Sequence, residues 1–474
     1  MLEIGAEKLS EKRFFDKSMA ALIMSMAWPT ILELALQKVV QFIDSAMVGR
    51  ISASAAAAVG LTQTVVWLID GLFTAAGVGF LAVIARAIGA EDYEKAGKTS
   101  GQSVWVALIM GLVVGAIALS ISFPLPGWMG ADEAVRRDAG IYFFTINVPM
   151  VFRSAIILFG AVLRATGDMR HPMLVNMAMN IINVVLNFFL IYPTRQITLL
   201  GWEFTIWGAG LEVAGAAIAT ASAYTVGGIL MFLILCRSDK GVAPTRESIR
   251  PDKEILKRVA QIGIPNAAER TVVCLGSTVF VSMVASLGTI SLAAHSIAIT
   301  AEGGFYVPGY GFMSTAATLA GMILGEGNEE KLERMTKTLM SINVLFMLFA
   351  STLMFVFPEM LISIFTKDPQ VIEKGVLVMR IVAISEPFFG ISLSLEGVFN
   401  GVGDTRYPFF ISLGTMWGIR ILFTFLCVKV LGLGLGAVWM CMVADVISRS
   451  VFMYLRYRSG RWKKGNFEAQ PQVQ

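Results

Sequence analysis

The chain has 474 residues, 56% of them hydrophobic and 15% charged, with a mean hydropathy of +0.70. About a quarter of the residues of a soluble domain are charged, so this composition excludes one and reads as an all-α polytopic membrane protein. The net charge of +4 needs no nucleic-acid partner. No set of short period-two segments points to a barrel.

The opening residues, MLEIGAEKLSEKRFFDKS, are polar. The apolar run after them contains Glu33 and no small-residue cleavage site, so they read as a cytoplasmic N-terminus and not a removable signal. Twelve apolar segments follow, at 19–48, 54–85, 101–123, 141–162, 172–192, 208–236, 259–287, 291–324, 338–357, 374–399, 408–431 and 434–456. With both ends placed inside, 26 of the 38 Lys and Arg fall in inside segments and seven in outside ones. This positive-inside bias predicts twelve spans with both termini cytoplasmic.

The first span carries a polar stripe. Glu33, Gln37, Gln41 and Asp44 fall at roughly 0°, 40°, 80° and 20° around a helix. Ionisable groups at membrane depth face a wet cavity or a partner. The stripe is therefore a cavity wall or a helix–helix contact held by polar side chains. Asp70 in the second span admits a cavity role or a local hydrogen bond. In the fifth span Asn176, Asn180, Asn183 and Asn187 fall at roughly 0°, 40°, −20° and 20°. Carboxamide oxygens are hard ligands suited to Na⁺, and they can share a proton network with a carboxylate; helix–helix bonding is the bland alternative.

The chain repeats itself. Adding 236 to a residue number maps Pro29 and Glu33 onto Pro265 and Glu269, Gly89 onto Gly325, and VLRATGDMRHP at 162–172 onto VFNGVGDTRYP at 398–408. After residue 193 the first half carries about fifteen extra residues. Six spans per half predict two six-helix lobes related by a pseudo-two-fold axis along the membrane normal, with a cavity near the midplane. The expected division is a cytoplasmic N-terminus at 1–17, a first lobe at 18–236, a cytoplasmic linker at 237–258, a second lobe at 259–457 and a cytoplasmic tail at 458–474.

Chemistry-bearing motifs are missing. Gly97-Lys98-Thr99 has Asp92 where a P-loop needs glycine. No Ser–His–Asp set is visible. Cys236, Cys274, Cys427 and Cys441 lack metal or disulfide spacing and read as small core residues. No enzyme activity, cofactor or resident metal is expected, and energy should come from an ion gradient.

Pro29…Asp44-x-x-Met47-Val48-Gly49, Leu163-Arg164-x-x-Gly167-Asp168-x-Arg170-x-Pro172, Asn183-x-x-x-Asn187 and Asn400-Gly401-x-Gly403-Asp404-Thr405-Arg406 together resemble the multidrug and toxic compound extrusion (MATE) family. That family belongs to the wider multidrug/oligosaccharidyl-lipid/polysaccharide exporter superfamily. The resemblance covers about residues 18–458. It implies twelve helices in two lobes and secondary antiport by alternating access, exporting cationic or amphipathic compounds against H⁺ or Na⁺.

In family members with a cation site in the first lobe, the positions match Asp44, Asn183, Asn187 and Thr220, with transient Na⁺ at the first three. Some members have Asp where this chain has Asn187. Other members use acids on the seventh and tenth helices, where Glu269 and Glu386 lie. Glu33, Gln37, Gln41 and Asn180 are further cavity candidates, and Glu396 and the Gly-Asp loops read as scaffold or gate. A monomer in a prokaryotic inner membrane, in contact with lipid, is expected. The alternative within the superfamily is a flippase for a lipid-linked saccharide. Such proteins line the cavity with cations, for which Lys38, Arg153, Arg270 and Arg420 are available.

Overall fold

A computed structural model describes residues 17–199 and 202–463. In chain order the helices of the first half are α1 (Lys17–Gly49), α2 (Ala53–Gly89), α3 (Tyr93–Ile121), α4 (Pro124–Trp128), α5 (Glu133–Asn147), α6 (Met150–Ala165), α7 (Arg170–Leu190) and α8 (Glu212–Cys236). Those of the second are α9 (Lys253–Ala285), α10 (Thr289–Phe305), α11 (Val307–Gly325), α12 (Glu329–Val356), α13 (Pro358–Ser363), α14 (Pro369–Ala383), α15 (Glu386–Val402), α16 (Arg406–Val430) and α17 (Leu435–Arg458). Among the described residues ten helices are long and apolar enough to cross a membrane. The pairs α5/α6 and α14/α15, each bent by 53° at a short break, bring the spans to twelve. Each overlaps one of the twelve apolar segments; the segment at 291–324 holds both α10 and α11, of which α11 is the span.

The repeat is visible in local geometry. Pro29 and Pro265 both lie inside long helices, where each removes one helical hydrogen bond. Gly167 and Gly403 both adopt left-handed backbone, at φ 80° and 83°, which lets the chain turn tightly between spans. Asp132 and Asp368 both stand at a helix N-cap, and Asp368 accepts from the Gln370 amide at 2.9 Å.

The extra residues of the first half form an antiparallel hairpin, β1 (Pro193–Leu199) paired with β2 (Trp202–Ala209). It is a small addition to an otherwise helical chain. The stretch is short and rich in β-branched and aromatic residues, the composition that suits strands. One departure is Cys236, which is exposed at the end of α8 and is no core residue.

The described residues group into two compact units. One holds those within Met1–Ile31, Leu81–Asp92 and Gln261–Gln474, the other those within Leu32–Phe80 and Tyr93–Ala260. The first unit has a core around Trp439, with Phe280, Val284, Ala298, Met354, Val378 and Val382 packed together. In it α2 and α11 cross through glycines: a Cβ on Gly89 would land on the Met322 carbonyl, and one on Gly325 on the Arg86 carbonyl. The second unit has a smaller cluster of Val48, Ala55, Ile191, Val213 and Ala216, which fixes the end of α1 against α7 and α8. In it residues 242–252 are bonded to α3: Gln102 Nε2 donates to the Ser248 and Arg250 carbonyls at 2.7 Å each, and its Oε1 accepts from the Asp252 amide at 3.0 Å.

Candidate functional site

Asp44 lies on the last turns of α1, opposite the polar face of α7. Asn187 Nδ2 donates to its Oδ1 at 2.8 Å. The i, i+4 spacing stacks Asn183 one turn away from Asn187. With its nitrogen turned to Asp44, the Asn183 amide donates to both carboxylate oxygens at 3.0 Å and accepts from Thr220 Oγ1 at 3.1 Å. Turned the other way, its nitrogen donates to Thr220 Oγ1, and its oxygen accepts from Asn187 at 3.2 Å while facing the carboxylate. The first orientation suits an empty, ionised Asp44. The second gathers three oxygens about one point and suits a proton or a small cation held between them. Thr220, on α8, also donates to the Ala216 carbonyl at 3.0 Å. The tyrosines Tyr142 and Tyr224 stand within electrostatic reach of Asp44.

The rest of the stripe goes elsewhere. Glu33 is buried, paired with Arg164 at 2.8 Å and accepting from Asn176 Nδ2 at 2.7 Å. The four asparagines of α7 are therefore divided. Asn176 serves Glu33, Asn183 and Asn187 serve Asp44, and Asn180 lies between with a buried Nδ2 lacking a partner among the described residues. Gln37 is half-buried, and Gln41 and Lys38 are exposed. Arg164, at the end of α6 beside the Gly167-Asp168 turn, is the counter-ion of Glu33. Asp168 does cap, accepting from the Arg170 and His171 amides at 3.2 and 3.1 Å. Asp70 is ion-paired with Arg153 at 2.7 Å.

In the second half Glu269 is buried and accepts from Ser412 at 2.5 Å, and its Oε2 has no partner among the described residues. Arg270 turns away from it to Glu396, at 3.4 Å. Glu386 begins α15 at the bend and is 1% exposed. Beside it, near enough for their charges to repel, is Glu302 of α10, wholly buried, with neither oxygen partnered among the described residues. Glu302 escaped the sequence reading; the signal was a lone Glu inside the apolar run at 291–324. Asp445 of α17 escaped as well, and it binds Arg420 at 2.8 Å and Arg449 at 3.4 Å. Arg420 lies in a π-helical stretch, Met416–Ile421, a distortion frequent at functional sites.

The membrane carboxylates thus fall into two groups. Glu33, Asp70, Glu396 and Asp445 have guanidinium partners. Asp44, Glu269, Glu302 and Glu386 form no ion pair among the described residues. Among those residues no group of three or more His, Cys, Asp or Glu could hold a metal ion.

Residues 29–189 and 265–426 each match the MatE family, and the two matched stretches are the two copies of the repeat. The chain is 31% identical over 447 residues to "Probable multidrug resistance protein NorM" of Thermotoga maritima, covering 93% of each chain. It is 25% identical to the "Uncharacterized transporter YisQ" of Bacillus subtilis, covering 95% of this chain and 96% of the other. A solved MOP superfamily transporter from Pyrococcus furiosus superposes with a TM-score of 0.85 at 23% identity, over 94% of this chain and 97% of that one, so the fold is shared. The chain belongs to the MatE family, a family of membrane transporters and not of enzymes.

Proposed function

We propose that this protein exports cationic or amphipathic compounds by antiport with H⁺ or Na⁺, and that Asp44, Asn183, Asn187 and Thr220 take up the coupling ion. The observation that carries the reading is the sorting of carboxylates. Asp44 sits in a membrane helix with only neutral partners, and all of them bring oxygens or reversible amides. A lone carboxylate at membrane depth is costly unless a cation or proton joins it. Relatives named as multidrug resistance proteins support the substrate class.

Loading Asp44 removes the charge that holds α1 against α7. A bend of α1 near Pro29 then shrinks the cavity and releases the substrate outward. Coupling requires that ion and substrate favour different states, because a ligand binding both states equally shifts nothing. Glu269, Glu302 and Glu386 form a second set of titratable carboxylates, while Glu33 serves as scaffold. The protein works as a monomer in a prokaryotic inner membrane, with both termini cytoplasmic. The lipid-saccharide flippase is disfavoured because the stripe of α1 is acidic and amide and because, of the four cationic candidates, Arg153, Arg270 and Arg420 each pair with a carboxylate, which leaves Lys38 to meet a pyrophosphate.

Efflux of ethidium from proteoliposomes under an imposed Na⁺ gradient and, separately, a pH gradient tests the reading. One gradient should drive export, and Asp44→Asn should abolish it. Full export by Asp44→Asn, or no export by folded wild type under either gradient, overturns it.

A further inference from the structure

Among the described residues, Asp70–Arg153 is the guanidinium–carboxylate pair of the first half whose carboxylate is open and whose guanidinium is buried. Asp70 lies near the middle of the 37-residue α2. Its side chain is 37% exposed, against 3% for Arg153. A carboxylate in mid-membrane does not face hydrocarbon, so its open side faces water. Arg153, on the first turn of α6 beyond the α5/α6 bend, reaches it at 2.7 Å. The same guanidinium lies over the Tyr224 ring, 4.9 Å from the centroid. Its Nη1 has no partner among the described residues.

Carboxylate plus aromatic face is the combination that recognises organic cations. Here a side chain of the protein occupies it. Water reaches Asp70, so an entering cation can take the place of the guanidinium without leaving the carboxylate unpaired, and Arg153, whose Nη1 already lacks a partner among the described residues, bears the cost of release. The pair is therefore exchangeable. The other copy of the repeat shows what the place looks like without charge: 236 residues on, Asp70 and Arg153 become Tyr306 and Phe389, whose rings meet at a tilt with centroids 4.7 Å apart. The carboxylate is particular to the first half.

We propose that Asp70 and the Tyr224 face are a binding seat for an organic cation, held shut in the empty protein by Arg153 as a tethered competitor. An entering cation displaces Arg153 from Asp70. Arg153 and Tyr224 are also within electrostatic reach of Tyr142, which neighbours Thr220, so a guanidinium no longer balanced by Asp70 makes that side of the cation site more positive and opposes loading of the coupling ion. This rests on the export reading above and names one of its substrate contacts.

Ethidium and tetraphenylphosphonium binding to purified protein in detergent tests it, with monodisperse elution as the check of folding. Arg153→Gln frees the seat and should tighten both at least fivefold. The neutral pair Asp70→Asn/Arg153→Gln keeps the packing and removes the carboxylate, and should bind both at least tenfold more weakly than wild type. A neutral pair that binds like wild type makes Asp70–Arg153 a scaffold contact and overturns the proposal. So does a folded Arg153→Gln that binds no more tightly. If Arg153→Gln does not fold, the neutral pair alone decides. Wild type that binds neither cation sinks the export reading too, whereas wild-type binding with unchanged variants sinks this inference alone.

Discussion

Glu33 and Glu269 stand 236 residues apart, and each accepts a hydrogen bond from a residue 143 further along the chain, Asn176 for one and Ser412 for the other. The two buried carboxylates hold matching places in the repeat and differ in charge balance. Arg164 neutralises Glu33, and the residue equivalent to Arg164 is Asn400, which bonds to Asn266. The difference predicts opposite mutational behaviour. Arg164→Gln leaves a buried charge alone and should cost about 3 kcal/mol, lowering the thermal midpoint in detergent. Glu269→Gln removes an unbalanced charge and should leave that midpoint unchanged or higher while slowing transport. Equal destabilisation by both would refute the distinction.

Asn187→Asp places a second carboxylate within hydrogen-bond distance of Asp44. Two carboxylates that share a site repel when both are ionised, so the pair loads over a different pH range from a single carboxylate. The midpoint of the pH profile of turnover driven by a pH gradient should move by at least about one unit from that of wild type. An unchanged pH profile would show that Asn187 is not part of the coupling site.

Much of the fold was legible because a bilayer demands long apolar segments, and those are visible without contacts. The repeat was legible because copies keep glycines and prolines where the backbone needs them. The Asp44 set was assembled from helical spacing and family resemblance, and its residues do meet. Spacing specifies the face of a helix but not which neighbour stands at each height. Hence the stripe of α7 read as one site, while Asn176 and Asn183 serve different carboxylates. Asp70–Arg153 and Arg420–Asp445 join residues far apart in sequence, and no local pattern reports such pairs. The hairpin of β1 and β2 was hidden because two short strands are a faint signal beside twelve apolar runs.

The α2–α11 crossing makes a stability prediction. Gly89 and Gly325 each face the other helix's backbone, at Met322 and Arg86, themselves 236 residues apart. Alanine at Gly89 or Gly325 meets a carbonyl oxygen that cannot move alone and should cost about 1–3 kcal/mol. Alanine at Gly60, on the same α2 with open space around it, should gain up to about 1 kcal/mol from helix propensity. Thermal unfolding of the three variants measures this, and a Gly89→Ala midpoint at or above that of Gly60→Ala would contradict the crossing.

Gln102 ties residues 248–252 to α3. Its amide serves three backbone groups of residues 248–252, two carbonyls and one N–H, and Ser100 Oγ donates to the Val242 carbonyl at 2.6 Å. Gln102→Ala strands those backbone groups in a buried place, at about 1–3 kcal/mol for each that water does not reach. The penalty is local, because residues 242–252 can lift from α3 while the spans stay packed. Limited proteolysis within 237–258 should therefore accelerate at least tenfold in Gln102→Ala, and ethidium affinity should stay within twofold of wild type. Unchanged proteolysis would mean that Gln102 contributes little to holding the segment down. Loss of ethidium affinity would mean that the segment's attachment to α3 reaches the binding site.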